Sequence, residues 1–581
     1  MNAVLILAVS IIVLVIGYVA YGGWLAKQWG IDPSRPTPAH ELEDGMDYVP
    51  AKAPVLLGHH FSSIAGAGPI NGPIQAAVFG WVPVLLWVII GGIFFGGVHD
   101  FGALFASIRH KGQSIGEVIG DSMGKAAKRL FIIFAYLTLL LVVAAFASIV
   151  ANTFGTTTAA GAMREGAALE ANLSTAMISV LFIVLAMIFG FLVYRKNMSV
   201  APATLIGVLG IVLIVFIGLN FHPIALDYNI WMWVLGAYIL VASVTPVWIL
   251  LQPRDYLSSY LLYFMIIVSI IGVFGSGLNG NSVDLAIPAF GLAEAKGNGL
   301  FTTGSVFPAL FITIACGAIS GFHSLVSSGT TAKQITNEKD ARLIGYGSMF
   351  IECVVAVLSL CAVAYVWNDA VGTAAADTGK LTSAFASPTA VFATGISNMI
   401  GSFTNPSVQN VMYQMLVLAV SVFCLTSLDT ATRLARYMFQ EFWLKPGESV
   451  EDAKGFKKIL VNPYLATIIT VVLGISLGMT GYSKIWPLFG AANQLLAALG
   501  LIAVCAWLGQ IGKNNKMFFI PMAFMLVVTI CSLIQTIIAK LSAGGDIWNY
   551  IQAGIACLLV VLAVILAVIA FNTLKAQKEK A

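Results

Sequence analysis

The chain has 581 residues, of which 59% are hydrophobic and only 10% charged, and its mean hydropathy is +0.92. A soluble domain carries roughly 25% charged residues, so the composition excludes a soluble globular protein and predicts an all-α, polytopic membrane bundle. The net charge of +4 is too small to suggest a nucleic-acid partner and reads as a topology signal.

The first apolar run, 3–20, has no basic residues before it and no A-x-A-like cleavage site, so it is expected to be a retained helix. Further runs long enough to cross a bilayer divide the rest of the chain into about 15 crossings in all. They fall at 3–26, 55–79, 81–108, 129–154, 173–194, 199–219, 229–251, 256–279, 305–328, 342–368, 408–437, 459–479, 485–508, 516–539 and 546–574. Segment 386–403 is ambiguous between an interfacial and a re-entrant piece. Lys and Arg collect in alternate connections: 109–129, 195–197, 252–255, 332–342, 435–458, 512–516 and the tail 575–580. The positive-inside rule makes these cytoplasmic. The N-terminus is then outside and the C-terminus inside. The seven cysteines all fall within predicted helices and form no C-x-x-C pair, which points to reduced apolar fillers.

The second crossing contains "GHHFSSIAGAGPINGPIQAA", 58–77. In hydrocarbon every backbone N–H and C=O needs a partner, so unwound backbone is tolerated only where protein or a wet cavity supplies one. Half-helices over 55–65 and 73–80 are expected, with Pro73 in the first turn of the second and "GAGPING", 66–72, unwound between them. The first half would end in free carbonyls suited to a cation. The second would begin with free N–H groups suited to a carboxylate. This is the discontinuous-helix device of secondary transporters. It makes Gly66, Ala67, Gly68, Pro69, Asn71 and Gly72 candidates for substrate binding, and His60, Ser62 and Ser63 candidates for ion coupling. The competing reading is a Gly-rich helix packed tightly on its neighbours.

An inverted repeat requires a counterpart. The expected layout is 1–54 as first helix and cytoplasmic loop, 55–219 and 229–437 as the two repeats, and 438–581 as accessory helices. The seventh crossing supplies Ser243, Thr245 and Pro246 as its polar, proline-marked point, so Ser243 and Thr245 join the substrate candidates; a simple kink is the alternative. The ninth, "CGAISGFHSLVSSGT" (316–330), carries Ser320, His323 and Ser324 as candidate ion-coupling groups or as interhelical glue. His99 and Asp100 read as a proton relay or a satisfied pair. Asp429 and Arg433 are four residues apart on one helical face, so Asp429 either pairs with Arg433 at the membrane edge or lines a cavity exit. Glu352 is a lone acid whose partner the sequence does not give. Lys484 is expected to snorkel, and 113–128 to form an amphipathic cytoplasmic helix.

The block "RPTPAHELEDGMDYVPAKAPVLLGHHFSSIAGAGPINGPIQAAVFGWVPVLLWVIIGGIFFGGVHDF", 35–101, resembles the signature of the carbon starvation protein A family. "SGFHSLVSSGTTAKQI" (320–335), "LTSLDTATRLARY" (425–437) and "IWPLFGAANQLLAAL" (485–499) resemble it too. The resemblance implies a bacterial inner-membrane transporter induced on carbon starvation. It implies peptide uptake or, as in some similar proteins, pyruvate import with protons. It also implies a LeuT/APC-like five-plus-five inverted repeat core, and it carries over no established functional residues.

The expected function is therefore secondary active import of a small carboxylate-bearing nutrient, a short peptide or a 2-oxo acid such as pyruvate. Co-transported protons, or else sodium, drive it. His60, His323 or Asp429 would change protonation state, as a histidine can near neutral pH. No G-x-x-x-x-G-K-[ST] loop is present, and no cofactor or catalytic residue is expected. The alternatives are a membrane metalloenzyme built on His59, His60, His99, Asp100 and His323, which lacks H-E-x-x-H or H-x-x-x-H spacing, and a nutrient sensor.

Overall fold

The structure is a computed structural model and describes residues 2–280, 283–296, 300–368, 387–445, 448, 450–545 and 547–580. Eleven helices among them are long and apolar enough to cross a membrane. In chain order, α1 is Ala3–Trp29. The second crossing is split into α2, Ala53–Ala65, and α3, Gly68–Ala76. There follow α4 (Trp81–Arg109), the short α5 (Ile115–Met123), α6 (Lys125–Phe154), α7 (Gly166–Arg195) and α8 (Val200–Asn220). Two further helices are α9 (Tyr228–Val244) and α10 (Leu251–Leu278). After a small antiparallel hairpin, Glu294–Lys296 with Thr303–Ser305, a second split crossing comprises α11, Val306–Thr313, and α12, Gly321–Gly329. Then come α13 (Arg342–Tyr365), α14 (Pro388–Gly401), α15 (Pro406–Trp443) and α16 (Pro463–Gly478). The chain closes with α17 (Tyr482–Gln510), α18 (Lys516–Ala543) and α19 (Ile547–Glu579).

Burial sorts these helices into a scaffold and a lipid-facing shell. The most apolar window of α17 is wholly buried, and those of α6 and α15 are 78% buried. At the periphery α8 turns Leu205, Leu209, Val212, Leu213 and Phe216 outward, each more than half exposed. Its inner edge is Ala203, Gly207, Ile211, Ile214 and Gly218, a helical spacing that gives one contact stripe. A fully apolar exposed face is stable only against lipid.

The segmentation matches the helices, with two corrections. The first concerns the unwound stretch of the second crossing. Only Gly66 and Ala67 are non-helical there; α3 already begins at Gly68, with Pro69 in its first turn and Pro73 inside it. Pro69 supplies the N-terminal φ restriction and lacks the N–H that would be orphaned anyway. Pro73 leaves the Pro69 carbonyl without its helical donor.

The second correction concerns the counterpart break. Helix α9 runs unbroken, and Thr245 and Pro246 lie at and beyond its end. The interruption is in the ninth crossing instead, at 314–320 between α11 and α12. Segment 386–403, left ambiguous by hydropathy, contains the 14-residue α14, too short to span a bilayer as a helix.

The connections rich in Lys and Arg gather at one end of the bundle. Arg109 pairs with Glu338 at 2.7 Å, Ala51 N–H donates to Gln334 O at 2.9 Å, and Tyr48 Oη donates to Lys111 O at 3.1 Å. At this end Asp47 meets Arg433 and Tyr437, and the Lys333 ammonium sits over the Tyr48 and Tyr437 rings. Burial pushes the Asp47 carboxyl up, but Lys333, Arg433 and the Tyr437 hydroxyl outweigh it and hold the group below the usual carboxylate range. At the opposite end the hairpin region is stitched to α3: Gly291 N–H donates to Phe79 O at 2.9 Å and Thr302 N–H to Gln75 O at 3.1 Å.

Candidate functional site

The two interruptions lie back to back. A Cβ on Gly68 would fall 2.4 Å from Cys316 Cβ and Sγ, and one on Gly72 would fall 2.8 Å from Thr313 O and 3.0 Å from Ile314 Cα. Only glycine lets α3 approach the second break this closely. Gly66 has φ 46° and ψ −155°, a region essentially confined to glycine, and its α-carbon faces Phe146 and Ser427. Among the described residues no acceptor is found for the N–H groups of Gly66, Ala67 and Gly68. Asn71 Oδ1 is buried nearby in sequence without a partner. Three free donors open the N-terminus of α3, where the helix dipole adds positive potential; such a place holds an anionic group.

One buried polar group surrounds the C-terminal end of α2. Asp255 Oδ2 accepts from His59 Nδ1 at 2.8 Å and from Ser63 Oγ at 3.2 Å, while Arg254 donates to Asp255 Oδ1 at 2.9 Å. Arg254 also pairs with Asp429, which accepts from Tyr238 Oη at 2.6 Å. Ser62 Oγ donates to Asp255 O at 3.0 Å, Ser63 lies 3.3 Å from Thr430 Oγ1, and Ser427 Oγ donates to Ser63 O at 3.0 Å. Arg254, Asp255 and Asp429 are 1%, 0% and 2% exposed, so the two carboxylates face one guanidinium rather than water.

A second group sits beside the other break. Asp100 accepts from His99 Nδ1 and from His323 Nδ1, each at 2.7 Å. His323 Nε2 lies 3.5 Å from Glu352 Oε2. The amide of Asn493 donates to Ser320 Oγ at 3.0 Å and its Oδ1 accepts from Phe322 N–H at 2.8 Å. Ser324 Oγ donates to Gly321 O at 2.7 Å. His60 Nδ1 is 2.8 Å from Thr331 Oγ1, and its Nε2 has no partner.

The sequence candidates thus divide. Gly68, Pro69 and Gly72 form the wall between the breaks, Gly66 faces Phe146 and Ser427 instead, and Ala67 and Asn71 are buried beside them. Ser62, Ser63 and Asp429 join the first polar group; Ser320, His323 and Ser324 join the second. Ser243 and Thr245 do not join the break: Ser243 is 3.4 Å from Thr467 Oγ1, and Thr245 Oγ1 folds back onto Val241 O. Asp429 does not pair with Arg433, whose guanidinium binds the Ala242 and Thr245 carbonyls and Asp47. Arg254 and Asp255 are not part of a cytoplasmic connection, as the charge pattern suggests; they lie in the opening two turns of α10. The signal that points to them is the polar run of Gln252, Arg254, Asp255, Ser258 and Ser259 at the start of an apolar helix, all buried.

A cavity of about 400 Å³ opens beside α3 and α11 at the hairpin end, lined by residues including Gln75, Thr302, Thr313, Trp486 and Gln535.

The family model described as carbon starvation protein CstA matches residues 2–383 and 366–532. The chain is 34% identical over 561 residues to the peptide transporter CstA of Bacillus subtilis (strain 168), spanning 91% of this chain and 89% of that one. It is 31% identical over 608 residues to the pyruvate/proton symporter BtsT of Escherichia coli (strain K12), spanning 91% and 81%. Among solved structures, the Eremococcus coleocola manganese transporter in complex with an aromatic bis-isothiourea substituted compound superposes with a TM-score of 0.50 at 11% identity, over 92% of this chain and 99% of that one. That likeness concerns the fold alone, the five-plus-five inverted repeat with discontinuous helices. From the matched signature, the relatives and the two interrupted crossings together, the chain belongs to the carbon starvation protein CstA family of secondary transporters.

Proposed function

We propose that the chain imports a small carboxylate-bearing nutrient, a short peptide or a 2-oxo acid such as pyruvate, across the bacterial plasma membrane by symport with protons. The observation that carries this reading is the set of unpaired N–H groups of Gly66, Ala67 and Gly68 at the start of α3, against the second break. The substrate carboxylate docks there, and Asn71 Oδ1 is offered to a donor on the same molecule. The names of the relatives, a peptide transporter and a pyruvate/proton symporter, support the substrate class.

Charge balance supports protons. Arg254 contributes one positive charge against Asp255 and Asp429, both buried. An uncompensated buried charge is costly, and one proton taken up by His59 or Asp429 removes the deficit. Ser63, Asp429, Arg254, Asp255 and His59 are therefore the coupling group, with Ser62 as its support; sodium is the alternative ion. The positive-inside rule supports reading the Lys- and Arg-rich end as cytoplasmic, with the N-terminus outside and the C-terminus inside. Each repeat begins at an interrupted crossing. The first runs from α2 to α10, with the α7–α8 hairpin inserted, and the second from α11 to α17.

Proteoliposomes holding the purified chain test the reading. Labelled pyruvate and a labelled dipeptide are offered under an imposed pH gradient and then a sodium gradient. Uptake of one of them driven by the pH gradient is expected. Uptake of neither under either gradient removes the proposal, and uptake with sodium alone removes the proton.

A further inference from the structure

Around Glu352 lies a set of donors that the carboxylate dock and the coupling group leave unused. We propose that Cys316, His323 and Glu352 form a binding site for a divalent transition cation of the zinc class. One ligand atom from each lies within 4.8 Å of the others, and all three residues are buried. Bonds of roughly 2.0–2.3 Å to a shared cation separate tetrahedral ligands by about 3.3–3.8 Å. Closing onto the ion therefore requires shifts of about 1 Å or less.

The surroundings point the same way. His323 gives its Nδ1–H to Asp100 at 2.7 Å, which leaves the Nε2 lone pair toward Glu352. A histidine that binds metal through one nitrogen and donates the other to a carboxylate is the usual outer-shell arrangement of metal sites. Asp100 is itself held by His99 at 2.7 Å. His323 Nε2 and both carboxylate oxygens of Glu352 are buried with no hydrogen-bond partner, an expensive state that a cation relieves. Thiolate, imidazole and carboxylate together select a borderline cation over hard ions such as sodium or magnesium. The Cys316 thiol loses its proton on binding, as metal-bound cysteines do.

Position gives the site a consequence. Cys316 belongs to the non-helical segment 314–320, His323 to α12 and Glu352 to α13. A bound ion ties the second interruption to a neighbouring helix and restrains it.

The test uses the full chain, purified in detergent and stripped with a chelator. Zn²⁺ is titrated in competition with a chromophoric chelator, and Co²⁺ is added separately and followed by absorbance. One ion per chain and a thiolate-to-Co²⁺ charge-transfer band are expected. Cys316→Ser abolishes the band; Asp100→Asn weakens Zn²⁺ binding roughly 10–100-fold. Cys353→Ser leaves both unchanged, since Cys353 faces Gly92. Absence of the band in the unaltered chain overturns the proposal without recourse to any variant. Unchanged Zn²⁺ affinity in folded Cys316→Ser or Glu352→Gln overturns it equally, by placing the ion elsewhere.

Discussion

Gly66→Ala is the sharpest perturbation of the first interruption. Two costs add there. The backbone sits at φ 46°, ψ −155°, where a residue with a Cβ is strained by about 1–3 kcal/mol. The new Cβ also falls 2.9 Å from Phe146 Cζ and 3.2 Å from Ser427 Oγ, an overlap whose relief costs about 1–3 kcal/mol in a packed interior. A combined penalty of about 3 kcal/mol corresponds to a factor of about 100 against this conformation. Two comparisons separate the terms. Gly455→Ala, at φ 62° with nothing within 4 Å, carries dihedral strain alone. Gly66→Ala combined with Phe146→Leu removes the ring contact and keeps the strain. Thermal unfolding in detergent and uptake in proteoliposomes are measured for all three. The expected order of destabilisation places Gly66→Ala first, the double variant second and Gly455→Ala last, with uptake lost only in the Gly66 variants. A Gly66→Ala protein with unaltered melting and uptake refutes the split-crossing argument.

Arg254→Gln leaves Asp255 and Asp429 buried without their counter-charge and costs about 3–5 kcal/mol, whereas Asp429→Asn leaves Arg254 paired with Asp255 and costs less. Altering both together is expected to recover part of the stability but not proton-driven uptake, as read by melting and by transport under a pH gradient. Gly72→Ala sets a Cβ against the backbone of 313–314, which cannot swing aside as a side chain can; lower thermal stability by about 1–3 kcal/mol is expected. Asp47 gives a pH prediction with a definite sign. Its folded pKa is depressed, so its stabilising contribution is present above the unfolded value near 3.9 and is lost only as pH falls through the lower folded value. The melting difference between the unaltered chain and Asp47→Asn should stay constant from about pH 8 to 5 and shrink in stronger acid; a difference that vanishes near neutrality contradicts the assignment.

Hydropathy made the crossings legible because a helix in lipid must be apolar over its whole length. Gly66, Gly68 and Pro69 marked the first interruption for a local reason, since those residues restrict or free the backbone themselves. The second interruption carries no proline between Thr313 and Gly321. Its backbone groups are met from far away in the chain: Phe322 N–H by Asn493 Oδ1, Phe311 O by Gln494 Nε2 at 3.0 Å, and Ile314 O by Trp87 Nε1 at 3.3 Å. No window around 314–320 contains that information, so a proline at position 246 drew the expectation to the wrong helix. Arg254 and Asp255 were hidden for the opposite reason. A charged dipeptide beside a span reads as a loop unless its partners, His59 and Asp429, are known to lie opposite.

The same long-range contacts say which parts of the bundle hold and which are held. The first break leans on α6 and α15 through Phe146 and Ser427, and the second on α17 through Asn493 and Gln494. Those three helices are also the most buried long spans besides α13. The interrupted crossings supply bare main-chain groups; the scaffold supplies side chains that satisfy some of them and leave Gly66, Ala67 and Gly68 unsatisfied. In a medium without water an unpaired N–H is expensive, and three buried together favour a partner that can pair with them. That cost gives a polar ligand an advantage at this spot that it lacks elsewhere in the bilayer. The proposed dock and the proposed coupling group meet at one break, with Ser63 in the last turn of α2 and Gly68 opening α3, so in this reading loading the one bears directly on the charge balance of the other.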